Sequence, residues 1–174
     1  MPVNTYGGGA NTNLHGLKFE QDTELKVALE NNGYYVNPED NSVYTPNGEL
    51  VGFNLPKRNI YSFFEHLNFL EWRNYISKQL FPDDAFFNVK TQKIYIIEKK
   101  WQSTGGSVDE KLQTCDFKRE EYERMFNPIN VEVSYIYILN DYFLQEKYDD
   151  VKEYILSHGC KFFFNELPLK EIGL

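Results

Sequence analysis

The chain has 174 residues, 41% of them hydrophobic, enough to bury one good core, so one globular domain spanning residues 1–174 is the expectation. A formal net charge of −8 weighs against tight non-specific binding to a polyanion, which relies on Lys and Arg at the phosphates. No apolar run is long enough to span a bilayer, and the polar, Gly/Asn-rich N-terminus is unlike a secretory signal. A cytoplasmic protein with no membrane partner is therefore expected.

Residues 1–16 read as a flexible arm, because Gly7-Gly-Gly9 and the Asn/Thr pairs offer no apolar face. Leu17 to Asn32 has helical spacing, with Leu17, Val27 and Ala28 near one another and Gly33 as the stop. Glu20 falls one turn after Leu17, and an acid favoured by the helix dipole in a first turn explains it without a functional role. Residues 34–56 alternate short strands and turns, with Thr45-Pro-Asn-Gly48 the clearest turn. An aromatic helical stretch is expected from Ile60 to Leu80, carrying Phe63, Phe64, Leu67, Leu70, Trp72 and Ile76 as core or dimer surface. Lys57 and Arg58 precede it, and Arg73 and Lys78 lie within it. Each is a candidate phosphate contact, and solvated surface charge accounts for each equally well. Residues 57–100 hold eight Lys/Arg against five Asp/Glu, a net of +3, which leaves −11 on the remainder.

Pro82-Asp83 is followed fifteen residues after Asp83 by Glu98-Lys99-Lys100. Ala85–Val89 reads as a strand, Lys90-Thr-Gln-Lys93 as a turn and Ile94-Tyr-Ile-Ile97 as a strand running into Glu98. Period-two alternation puts Glu98 and Lys100 on one face and Lys99 on the other, and a hairpin in that register lets Asp83 meet Glu98. Two carboxylates suit a hard cation such as Mg²⁺, which polarises a phosphoryl oxygen and activates water, while the Lys100 ammonium positions that water. On spacing alone a solvated hairpin end, with its charges facing water, is the better explanation. The run Ile94–Ile97, apolar on both faces as a central strand should be, is what favours a site.

Ser107-Val-Asp-Glu110 matches a capping box. Val108, Leu112, Cys115, Arg119, Tyr122 and Phe126 then continue as one helix, with Lys111 on another face. Gln102 shares the face of Glu98 and Lys100 if the strand runs two residues further, and would there orient water or phosphate. Val131–Leu139 is the clearest strand, and a crossover after the helix places it parallel to the motif strand. Asp149–Ser157 is a helix stopped by Gly159, and Lys161–Phe164 a last strand. Cys115 and Cys160 read as reduced buried thiols, with a disulfide the alternative. The three histidines show no metal-ligand spacing, and no nucleophile elbow, phosphate loop or dinucleotide fingerprint is present.

Asn11–Glu20 before a helical pattern, Pro82-Asp83, Ile97–Gln102 running on to Gly106–Lys118, and the ending His158–Pro168 together resemble the PD-(D/E)XK nuclease superfamily. The likeness is greatest to its type II restriction endonuclease-like members and covers roughly residues 8–174. It implies an α/β fold, a restriction-endonuclease-like core whose central mixed β-sheet is flanked by helices on both faces. It also implies a sequence-specific, Mg²⁺-dependent endonuclease (Mn²⁺ substituting) that hydrolyses double-stranded DNA as a homodimer. Asp83, Glu98 and Lys100 would be catalytic, with Gln102 beside them. Asp83 and Glu98 would hold the metal, and Glu20 would add a metal or water contact. Lys57, Arg58, Lys78, Lys99 and Lys111 are the candidate DNA contacts. Asp84 beside Asp83 departs from the pattern and leaves the metal-binding aspartate open by one residue; Asp83 is favoured because it follows the proline. Two other readings stand beside this one: a junction or repair nuclease of the same fold, and a non-catalytic DNA-binding or interaction domain.

Overall fold

A computed structural model describes residues 8–66, 71–105 and 108–174. Its frame is a seven-stranded mixed sheet whose spatial order follows the chain. The strands are β1 (Tyr35–Val36), β2 (Ser42–Tyr44), β3 (Leu50–Asn54), β4 (Asp84–Asn88), β5 (Lys93–Lys100), β6 (Glu132–Leu139) and β7 (Lys161–Phe164). Neighbours from β1 to β5 are antiparallel, and β5, β6 and β7 are parallel. The class is α/β, as the alternation of patterns predicts. β5 sits between a hairpin partner and a crossover partner, which is why Ile94–Ile97 is apolar on both faces.

Helices α1 (Gly8–Asp22) and α2 (Leu25–Asn31) belong to one side of the sheet. There Leu25 and Leu29 pack with Phe86, Tyr95, Ile97, Ile136 and Ile138, and Ile172 closes the cluster from the C-terminal turn. The opposite side carries α3 (Asn59–His66), α4 (Val108–Leu112), α5 (Cys115–Phe126) and α6 (Asp149–Ser157). Its core joins Phe64, Tyr122, Phe126 and Ile155 to Ile94, Ile96, Tyr135 and Tyr137 of the central strands. Cys115 and Cys160 are both buried and reduced there. α6 ends at Gly159, which takes φ +71°. No helix among the described residues is long and apolar enough to cross a membrane.

Four local expectations are corrected. Residues 8–16, expected as part of an arm, are helical, while residues 1–7 lie outside the described part. Tertiary contact overrides the weak propensity: His15 stacks on Trp101 with ring centroids 5.5 Å apart. The helix expected over 17–32 is broken, because Glu24 is extended and the Thr23 hydroxyl donates back to the Phe19 carbonyl at 2.6 Å. The break resets the register, so Leu25 and Leu29 are buried while Leu17 and Val27 are exposed.

The helix expected over 60–80 stops with α3 at His66, and only a 3-10 turn, Trp72–Asn74, follows among the described residues. Leu67 and Leu70 lie outside that description. The chain folds back on Tyr61, whose hydroxyl accepts the Leu80 N–H at 2.7 Å and whose ring meets Trp72 and Phe81 edge-on. Ile60, Tyr61, Phe64 and Ile76 are buried in the core, the first of the two roles expected of the segment. The helix expected from Ser107 is two helices parted at Gln113-Thr114, where the Thr114 hydroxyl donates to the Lys111 carbonyl at 2.7 Å. Ser107 itself, and the capping box it would make, lie outside the described residues.

Gly52 sets how closely β3 approaches β4. A Cβ there would stand 2.3 Å from the Phe87 carbonyl oxygen and 2.4 Å from the Phe86 ring. Gly52→Ala should therefore lower stability by about 1–3 kcal/mol, read as a lower urea midpoint at unchanged slope.

Candidate active site

Alternation along two paired strands builds the site. Asp84 pairs with Ile97 across the hairpin, so Asp83 lies beside Glu98 and its Oδ2 accepts the Lys99 backbone N–H at 2.7 Å. Glu98 and Lys100 share the face that packs toward α5. The Lys100 ammonium lies 2.7 Å from Glu98 Oε2, 3.0 Å from the Lys99 carbonyl oxygen and 3.8 Å from Asp83 Oδ2, over the Tyr137 ring at 5.9 Å. Three oxygens from two strands thus converge on one cation.

Asp84 and Lys99 face the other way. Lys99 Nζ is 2.6 Å from Asp84 Oδ2, with both side chains at most 3% exposed. The same carboxylate oxygen accepts the Leu25 N–H at 3.0 Å, and Lys99 also donates to the Glu20 carbonyl at 2.9 Å. Burial pushes the Asp84 carboxyl up, and Lys99 opposes that shift. The pair separates the two aspartates: Asp83 shares a face with Glu98, and Asp84 is committed inside. It also sets Lys99 apart from the other candidate DNA contacts, since its ammonium is buried against Asp84 and the Glu20 carbonyl.

Glu20 is brought to the site from α1. Its carboxyl is raised first by burial and next by the Asp83 charge, while Lys100, Lys99 and Lys57 act in the opposite sense. Gln102 is buried but not on the strand, which ends at Lys100. Its N–H bonds Asn140 Oδ1 at 3.1 Å, and its carbonyl accepts from Asn140 Nδ2 at 2.9 Å. Lys57, Arg58, Lys78 and Lys111 are all exposed. Lys57 lies close enough to act on Glu20, and the Lys111 carbonyl accepts the Tyr137 hydroxyl at 3.1 Å.

Lys118 was not among the expected site residues. From α5 its ammonium lies 3.4 Å from Glu98 Oε1, so a different lysine faces each oxygen of that carboxylate. Lys118 stands three after Cys115 and four before Tyr122, both buried, so it borders the packed face of α5. The wall behind Glu98 is aromatic. Burial, then the Glu98 charge, raises the Tyr122 and Tyr135 hydroxyls, which keeps them neutral beside the carboxylate.

No group of three His, Cys, Asp or Glu side chains among the described residues is arranged to hold a metal ion. The oxygens around the Lys100 ammonium are nonetheless the right chemistry for Mg²⁺. Two carboxylates and a carbonyl are hard donors, few enough to leave positions for water and a phosphate.

Because the folded protein raises the Glu20 carboxyl above its ordinary 4.5, stability present below that pH is lost as pH rises toward the folded value. Glu20→Gln mimics the protonated form and escapes the loss. It should raise the urea midpoint at neutral pH, with the gain disappearing below pH 4.5.

The chain matches no family model, no curated protein and no solved structure.

Proposed function

We propose that the protein is a Mg²⁺-dependent DNA endonuclease with a restriction-endonuclease-like core, of the type II, sequence-specific kind. The observation that carries the reading is the convergence of Asp83 Oδ2, Glu98 Oε2 and the Lys99 carbonyl on the Lys100 ammonium at the end of the central strand. Asp83, Glu98 and the Lys99 carbonyl would hold Mg²⁺, with Mn²⁺ as a substitute. The chemistry the ion supplies when bound is polarisation of a phosphoryl oxygen and activation of a water.

The chain's own residues account for the rest. Lys100 Nζ orients the attacking water and offsets charge that develops on the phosphate, a role whose loss typically costs about 10²–10³ in rate. Lys118 holds Glu98 by its other oxygen, so the carboxylate keeps its place when Lys100 turns toward substrate. Tyr122 and Tyr135 exclude water behind it. The net +3 of residues 57–100 gives this part of an acidic molecule the sign a phosphate backbone needs. Cutting both strands of a symmetric site takes two such centres, and a two-fold homodimer supplies them.

Unmethylated phage and plasmid DNA should be cut to discrete fragments with Mg²⁺ and left intact with EDTA, and Lys100→Ala should lose about 100-fold or more in rate. Smeared or junction-only products would move the reading to a structure-specific nuclease. Equal inactivity of wild type and variant in every divalent metal would end the catalytic reading.

A further inference from the structure

The carboxylate rim carries an aromatic surface that the catalytic reading leaves unused. Phe81 stands two residues before Asp83, and it is 45% exposed although it is held on several sides. The Arg58 guanidinium lies over its ring at 5.4 Å, and the Tyr61 ring meets it nearly perpendicular at 5.9 Å. The backbone on both sides is pinned: Leu80 N–H donates to the Tyr61 hydroxyl at 2.7 Å, and Lys57 N–H donates to the Pro82 carbonyl at 3.0 Å.

The second bond fixes the basic pair Lys57-Arg58 against the residue that precedes Asp83. It does so with Lys57 in the left-handed region at φ 52°, a conformation a non-glycine residue keeps only when its surroundings hold it there. The aromatic and basic character continues outward. Arg73 lies over Trp72 at 4.6 Å, Trp72 meets Tyr61 at 6.1 Å, and Tyr75 is 37% exposed. Lys57, Arg58 and Lys78 form no ion pair among the described residues.

The exposed Phe81 ring, held against a guanidinium, offers a flat apolar face, and the cations around it favour a partner that is both flat and anionic. Nucleobases on a phosphate chain meet both demands: a base stacks on an aromatic or guanidinium plane while its phosphates meet Lys and Arg. A duplex keeps its bases stacked on one another, so the base that reaches Phe81 must be out of the stack.

We infer that Phe81, backed by Arg58, is a stacking platform for an unpaired base of the strand whose phosphate lies at Asp83. The reach is right, since two residues of extended chain span about 7 Å. The phosphate at Asp83 rests on the nuclease reading, whereas stacking on Phe81 does not. The substrate class is therefore DNA with a nucleotide unpaired beside the cut, either already unpaired or unstacked on binding.

The test is fluorescence anisotropy in EDTA, with a labelled short duplex and the same duplex carrying one unpaired nucleotide. Wild type should prefer the bulged duplex about tenfold, Phe81→Ala should abolish that preference, and Phe81→Trp should retain it. Phe81 is half exposed, so both variants keep the core, and unchanged near-ultraviolet dichroism checks this. Equal affinity of wild type for the two duplexes, or a preference that survives in Phe81→Ala, overturns the platform. Cleavage in Mg²⁺ measured on the same samples separates the two ideas. A Phe81-dependent preference without cutting keeps the platform and ends the nuclease reading, and cutting without that preference does the reverse.

Discussion

A buried ion pair fixes everything else in this site. Asp84 and Lys99 lie on neighbouring antiparallel strands and point to the side opposite Glu98 and Lys100. Desolvating two charges costs several kcal/mol per ion, and the pair persists because other bonds satisfy what the Coulomb attraction leaves over. The Leu25 N–H takes Asp84 Oδ2, and the Glu20 carbonyl takes the Lys99 ammonium. The pair thereby ties α1, α2, β4 and β5 at one point. The first of these bonds serves α2 directly: Glu24 offers no side-chain cap, and Asp84 supplies an acceptor at that helix start from another strand. A one-residue slip of the hairpin would send Asp83 inward and Asp84 to the site face. The buried Asp84–Lys99 pair and the Leu25 bond to Asp84, which the slip would break, oppose it.

With the inner pair fixed, the outer face concentrates charge that a stability-driven design would avoid. Asp83 and Glu98 share one ammonium, and burial followed by the Asp83 charge raises the Glu20 carboxyl. Lys100 and Lys118 partly neutralise them, one from the strand and one from α5. The ammonium of Lys100 stands where a small cation with oxygen preference would stand, and the aromatic wall behind Glu98 keeps that spot from filling with bulk water. Like charges held together by a rigid scaffold are the kind of arrangement that clusters at functional sites.

The parts of this arrangement legible in the sequence are those set by short-range pattern. The β4–β5 hairpin, the split of Glu98 and Lys100 from Lys99, the parallel β6 and the Gly159 stop on α6 follow from period-two alternation and turn chemistry. The helix breaks at Thr23-Glu24 and Gln113-Thr114 were not legible, because side-chain hydroxyls and distant strands decide them. The aromatic run after Ile60 has helical spacing, yet Tyr61 draws Trp72 and Phe81 around itself and the chain bends to allow it. The choice between Asp83 and Asp84 needed the ion-pair partner of Lys99, a contact fifteen residues away that proline position alone does not fix. Lys118 was visible as a lysine beside the packed face of α5, but its target was not.

In the proposed site Asp83 and Glu98 form one cation site through their side-chain oxygens while Asp84 serves the fold. Calorimetric titration of Mg²⁺ and Mn²⁺ into wild type, Asp83→Asn and Glu98→Gln, with thermal unfolding of each recorded alongside, tests that most directly. One divalent-ion site in wild type, lost in both variants with the unfolding midpoint retained, is the result the account predicts. Binding undiminished in Asp83→Asn would contradict it.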